Sequence, residues 1–234
     1  MRLLTRLPRL VLVSLAVAAL PQPAAADAGI VAKATAPTAV KRNGEKLPVS
    51  DGFALNVGDT LLTGQQGGAQ LLFGDDSLFA ITKGASLRVD QFQLPTHGPG
   101  AAVYTLERGG FRTVTGKIGK NQGDTYEARA GKTTIHVQGS AYDALICKGD
   151  CGHHKDGLYI KQEKGVITAA NPGGKITLRT RQVAYIESDT SAPVYVKVSP
   201  FDDPVISASF SIDIRIDAEV HPERIEQVPP ASPS

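Results

Sequence analysis

Two cysteines, two histidines and two aspartates fall within ten residues, Cys147-Lys148-Gly149-Asp150-Cys151-Gly152-His153-His154-Lys155-Asp156, the densest gathering of chemically capable side chains in the 234-residue chain. Two chemistries compete for them. The thiols can oxidise to a disulfide that pins a loop, or two thiolates with one or both histidines can hold zinc, for which Cys and His are preferred ligands. Structural zinc sites usually set their histidines several residues apart, whereas adjacent His153 and His154 are poorly placed to face one metal. A redox-active pair is a third reading, weakened because the spacing is Cys-x₃-Cys and no helix start is at hand to lower a thiol pKa. Closing so short a loop removes little chain entropy, so a Cys147–Cys151 bond would stabilise by less than the ~3 kcal/mol of a 15-residue loop and would act on local shape.

The remaining candidates are thinner. Gly116-Lys117-Ile118-Gly119-Lys120, with Arg112, makes a small basic cluster that has the outward look of a phosphate loop. A true P-loop ends in Gly-Lys-Ser/Thr and opens a helix, but here the strand-like TYEARA follows Gly123, so a solvated hairpin tip is expected. The sharper alternative is a contact patch for an anionic envelope polymer. His136 sits between Ile135 and Val137, which alternation turns inward, so the histidine faces out with no acid or nucleophile at a usable spacing. His97 lies on a loop rich in Pro and Gly. The acid pairs Asp75-Asp76 and Asp202-Asp203 fall in turns, where Asp commonly bonds nearby backbone amides. Neither a Gly-x-Ser-x-Gly elbow nor a His-Glu-x-x-His motif is present, so no catalytic residues are assigned.

The elements that must carry these residues read as short strands. In the stretch from Gly52 to Phe92, Ala69, Leu71 and Phe73 alternate onto one face, as do Phe79 with Ile81 and Leu87 with Val89. Gly58-Asp59, Gly67-Gly68, Gly74-Asp75 and Lys83-Gly84 interrupt them at intervals too short for a helix. Asn43-Gly44 supplies the positive φ values of a type I′ hairpin turn. Leu94 to Ala102 carries two Pro and two Gly and separates a first strand group from a second. Further strands surround the Cys/His loop (YDALI and LYIKQ), and a hairpin turns at Asn171-Pro172-Gly173-Gly174. With no Trp and 6% aromatics, the core must be built from Val, Ile, Leu and Ala. The fold class expected is all-β, short antiparallel strands with Gly-rich turns, arranged as a stacked roll or a sandwich.

The spelling GDTLLTG (58–64), AQLLFGDDS (69–77) and ASLRV (85–89) resembles the periplasmic FecR-like domain, whose core reads as Gly-Asp, Thr-Gly, an Ala-x-Leu strand and an Asp-Gly-Ser turn. TLERGGFRTVTG (105–116), YEARAGKTTIHVQGSAYDA (126–144), GLYIKQEKGVITAANPGG (157–174) and ITLRTRQVAYI (176–186) resemble its later strands, so the likeness covers roughly residues 44 to 188. Two departures stand out. Ser140 replaces Thr in the Val-x-Gly-Thr turn, and Asp76 replaces Gly in the Asp-Gly-Ser turn. The resemblance implies a stacked, roll-like β fold and a non-enzymatic binding or scaffolding role in the periplasm of a Gram-negative bacterium. Family members that relay a receptor's state to a sigma factor carry a cytoplasmic segment and a transmembrane helix, in whose place this chain has a leader, so direct signalling across the inner membrane is not expected.

That leader is Arg2, Arg6 and Arg9 before the apolar run Leu10 to Leu20, then Ala24-Ala25-Ala26: the pattern of a cleavable signal peptide over residues 1–26. The run is shorter than the about 20 residues a membrane-spanning helix needs. Cleavage after Ala26 removes three of the 25 Lys and Arg and none of the 23 Asp and Glu, leaving a nearly neutral mature chain for which nucleic acid is not an expected partner. Export to an oxidising compartment also weighs the Cys pair toward the disulfide.

The all-β domain is assigned to residues 27–198. Beyond it, every even position from Ile206 to Ile216 is apolar and the odd ones are polar, so residues 199–218 are expected to contain an amphipathic strand that docks on its own domain, followed by a disordered tail over 219–234. The partner expected is another envelope protein, with no cofactor, no metal and no membrane span after cleavage; the alternative is a module for cell-wall polysaccharide or a metal ion. Mass spectrometry of protein from the periplasm should find Asp27 as the first residue. An intact Met1 would refute the leader assignment.

Overall fold

The computed structural model describes residues 27–96 and 98–211. The leader, His97, residues 212–218 of the expected strand and the 219–234 tail lie outside the described residues. The described chain is all β apart from two short helical turns. Its first strands are β1 (Asp27–Thr35), β2 (Thr38–Arg42), β3 (Glu45–Pro48), β4 (Phe53–Asn56), β5 (Thr60–Thr63), β6 (Gly68–Phe73), β7 (Leu78–Ile81) and β8 (Ser86–Gln93). Then follow β9 (Ala101–Val114), β10 (Thr125–Ala130), β11 (Thr133–Cys147), β12 (Gly157–Asn171), β13 (Gly174–Arg179), β14 (Val183–Ile186) and β15 (Val194–Val196).

All fifteen belong to one hydrogen-bonded sheet that folds over on itself. Three long strands make this happen. The first part of β9 pairs with β8 and β10, and its last part with β7 and β11. Likewise β11 pairs first with β10 and then with β9, while β12 pairs first with β14 and then with β13. Each therefore starts in one layer and finishes in the other. A strand can change layers only through a sharp bend, and each bend carries a left-handed glycine: Gly109 (φ 69°), Gly139 (φ 58°) and Gly165 (φ 92°). At Gly109 the constraint is double, because a Cβ there would lie 2.6 Å from the Ala85 Cα.

The layers meet over an aromatic-centred core. Phe73 and Phe79 of one layer touch Tyr104 of the other, with ring centroids 5.0 and 4.8 Å apart. Leu71, Leu87 and Ile135 are fully buried among them, as their alternation required, and His136 is exposed. Burial raises the pKa of Tyr104, Tyr126 and Tyr142, keeping all three phenols neutral. Tyr126 reaches Thr113 Oγ1 at 3.3 Å, a polar contact inside the core.

The pairing is antiparallel except for one parallel pair, β9 with β10, which corrects the hairpin expected at 116–120. After its bend β9 returns to the end of the fold where it began, so the next strand starts beside β9's own start and runs with it. Residues 115–124 are the crossing. Asp75 and Ser77, both fully buried, clasp this crossing: Gly116 N–H donates to Ser77 Oγ (2.8 Å), Ile118 N–H to Asp75 Oδ2 (3.2 Å) and Lys117 N–H to the Asp75 carbonyl (2.7 Å). Asp76 beside them adopts φ 68°, the glycine conformation kept by a residue that tolerates it. Ser140 supplies a hydroxyl of the kind a Thr would, bonding the Val166 carbonyl at 3.1 Å.

The C-terminal expectation is also corrected. Pro200–Asp202 is a 3-10 turn and Pro204–Ala208 a short helix, α1, rather than part of a strand. Start signals outweigh alternation here: Asp202 accepts from Ser199 N–H and Oγ, Asp203 caps Val205 and Ile206, and both prolines sit where a helix has no use for an N–H. The segment nevertheless docks on its own domain. Phe201 and Phe210, in edge contact at 5.4 Å, bury against Leu145, Tyr159 and Val183 on the outer face of the sheet.

On that outer face Arg112 and Asp143 are directly opposed and joined by two hydrogen bonds of 2.6 and 2.7 Å. The pair raises the arginine's pKa, yet burial outweighs it at Asp143 and raises the carboxyl above its ordinary value. We read the pair as a lock on strand register more than a net gain. Replacing Arg112 by Ala, which strands a buried carboxylate, should lower stability by about 3 kcal/mol in urea unfolding, and R112M/D143L should recover most of it. A double variant as unstable as the single one would contradict this. Leu71→Asp places an unpaired charge in the core of a fold with about 5–15 kcal/mol to lose, so it should abolish the cooperative thermal transition.

Candidate binding groove

The Cys/His loop is the tip of the β11–β12 hairpin. Its cysteines form the disulfide, with Cα atoms 5.5 Å apart, so no thiolate is left there for a metal. Cys147 ends β11, and both sulfurs are buried in the outer apolar cluster with Tyr159 and Phe201. Lys148 N–H donates to Asp150 (2.9 Å) and Gly149 N–H to Asp156 (2.6 Å), so the acids of the loop fold its backbone. His153 and His154 stack, with centroids 4.2 Å apart, and His154 meets Tyr159 edge-on. Among the described residues, no three His, Cys, Asp or Glu side chains gather in a metal-holding arrangement.

The basic cluster expected around 112–120 is not brought together. Arg112 belongs to the Asp143 pair, Lys117 pairs with Asp76 at 3.0 Å, and Ile118 next to Lys117 is fully buried. The crossing is further tied at Asp124, whose carboxylate accepts N–H groups from Gly100, Gly119 and Asn121 and so sits below its ordinary pKa. His136 stands 3.3 Å from Glu127, on the surface. Asp75, Asp202 and Asp203 all bond local backbone or hydroxyls, the turn role expected of them.

A groove that sequence reasoning missed opens where the two layers part, beside the disulfide. It encloses about 510 Å³, and its floor is formed by Leu106, Ile146, Leu158 and Ile186. Ile146 is the half-buried member of that floor. The lining brings Glu107 from β9, Asp156 from the hairpin tip and Glu187 and Asp189 from the turn after β14 to the same opening, against one base, Lys148. Glu107 accepts from Ser86 Oγ (2.8 Å) and has Arg88 at 3.7 Å. Among the described residues the Asp189 carboxylate bonds only the Lys132 N–H and the Asp156 carboxylate only the Gly149 N–H, while the Glu187 carboxylate has no hydrogen-bond or ion-pair partner. These residues lie far apart in sequence, so no local motif signals them. The lining contains no histidine and no free thiol.

A second groove, of about 610 Å³, lies at the other end of the strands, lined by Ile30, Leu72, Phe92, Leu94 and Pro95. It is more apolar, and its Asp76 and Lys117 already neutralise one another. Among the described residues no helix is long and apolar enough to cross a membrane.

No family model and no curated protein matches the chain. Among solved structures, the fold is similar to two crystal structures of a "putative anti-sigma factor" from Parabacteroides distasonis ATCC 8503, each 10% identical with a TM-score of 0.49. Each match covers 61% of this chain and 61% of the other.

Removing the disulfide by C147A/C151A should cost about 2 kcal/mol, the loop-closure value for so short a separation, while the all-β circular dichroism spectrum is kept. Titration of native protein without reductant should find no reactive thiol. Two reactive thiols, or stoichiometric zinc, would overturn the pairing.

Proposed function

We propose that the chain is an exported, non-enzymatic binding domain of the FecR-like type, which holds a segment of another envelope protein in the groove beside the disulfide. The groove itself carries this reading. Ligand sites are concave, with an apolar floor and a few convergent polar groups, and this one has both. Its walls are preformed. The hairpin tip is fixed by Cys147–Cys151 and by the capped Phe201–Phe210 segment behind it, so little ordering cost remains to be met on binding. The oxidising compartment follows from the leader and is in keeping with the disulfide.

Site-specific photocrosslinking in intact cells tests the proposal. A crosslinker at Thr105, in the groove wall, should trap a discrete protein, whereas one at exposed Lys175 on β13 should not. Trapping at neither position, or trapping of peptidoglycan in place of protein, would refute it.

A further inference from the structure

From the charge around the groove we infer the chemistry of its occupant: a basic, aliphatic peptide segment, with Lys or Arg at the rim and Leu, Ile or Val on the floor. This rests on the binding role proposed above and adds the identity of the bound class. Four carboxylates meet one ammonium in the lining, and three of the four, Asp156, Glu187 and Asp189, have no cation paired to them among the described residues. The excess is local, since the chain without its leader carries 22 bases against 23 acids.

The contrast with the rest of the fold is informative. Of the three fully buried acids among the described residues, Asp59 and Asp143 each have an arginine in bidentate contact, and Asp75 is satisfied by Ser77 and the Ile118 N–H. Glu127 and Asp90, on strand surfaces, are paired as well. Asp156, Glu187 and Asp189 thus bring three carboxylates, without a paired cation among the described residues, to one opening over an apolar floor. A cleft lined by one sign of charge, with low-dielectric walls, focuses its field outward and draws in the opposite charge. The floor in turn has room for aliphatic side chains, so each part of the lining selects one part of the ligand. A free metal ion is a poorer fit, because the acids stand around an apolar base and not around a common point, and no three of them gather in ligating geometry.

Two acetylated, amidated octapeptides, alternating leucine with lysine or leucine with glutamate, provide the probe for the disulfide-bonded protein. Amide shifts in NMR titration should move at Leu106, Gly131, Gly157 and Asp189 with the lysine peptide and stay still with the glutamate peptide. Binding should weaken roughly tenfold in E187K/D189K, and also as salt is raised to screen the rim. E187Q/D189N, with an unchanged melting temperature as the control for folding, should show a smaller loss. Equal binding of both peptides, shifts centred elsewhere, or full affinity in both variants would overturn the inference. If the lysine peptide fails to bind while Thr105 still traps an envelope protein, the chemistry assigned to the partner is wrong and the binding role stands. Failure of both would remove both.

Discussion

Strand β9 must hydrogen-bond in two layers at once, and most of the architecture follows from how it does so. A pleated strand cannot change layers without a corner, and the residue at that corner, Gly109, has to be glycine because the Ala85 backbone leaves no room for a Cβ. Once β9 doubles back, the strand after it has to start at the same end of the fold and run parallel to β9's first half. The parallel pair is thus a consequence of the bend. It forces a crossing over the end of the core at residues 115–124, which needs partners for its own buried amides. Asp75 and Ser77 provide them from a turn forty residues earlier, so the Asp-Asp-Ser turn serves as the fastening of a distant loop.

The same geometry explains the groove. Bends of β11 and β12 at Gly139 and Gly165 close the fold at the crossing end, whereas at the opposite end β11 and β14 end and β12 begins, while β9 turns over through Gly109. The hairpin tip, the turn after β14 and the middle of β9 frame the gap. What keeps the gap from collapsing is the outer cluster: Phe201 and Phe210 pack behind Leu145 and the cystine, and so hold the hairpin against the sheet. Structure and proposed function meet in this arrangement, because a small disulfide with a modest effect on overall stability becomes a device for positioning a wall.

Charge is distributed by the same division of labour. Where an acid is buried within the sheet, as Asp59 and Asp143 are, an arginine joins it in two hydrogen bonds and the register of neighbouring strands is fixed. Around the groove Asp156, Glu187 and Asp189 stay solvated and without a paired cation among the described residues, which costs little in water but leaves a field that a ligand can answer.

Local pattern determined a good part of this protein. Alternation placed Leu71, Phe79, Leu87 and Ile135 in the core, Asn43-Gly44 named its own turn, and two cysteines four residues apart could be paired from compartment and count. Each of those decisions depends on residues within a few positions of one another. The tertiary structure alone decided the rest. Arg112 and Lys117 read as neighbours in a basic cluster, yet one is claimed by Asp143 and the other by Asp76, because the fold sets acids from other strands beside them. Ile206, Ala208 and Phe210 fit a strand's period, but Ile206 and Phe210 are also four apart, a helical spacing; the caps at Ser199 and Asp203 and the apolar face waiting at Leu145 and Val183 resolved the ambiguity. The groove was invisible for the most basic reason: its residues come from five separate strands and the turns between them, and only the bending of three long strands brings them to one opening.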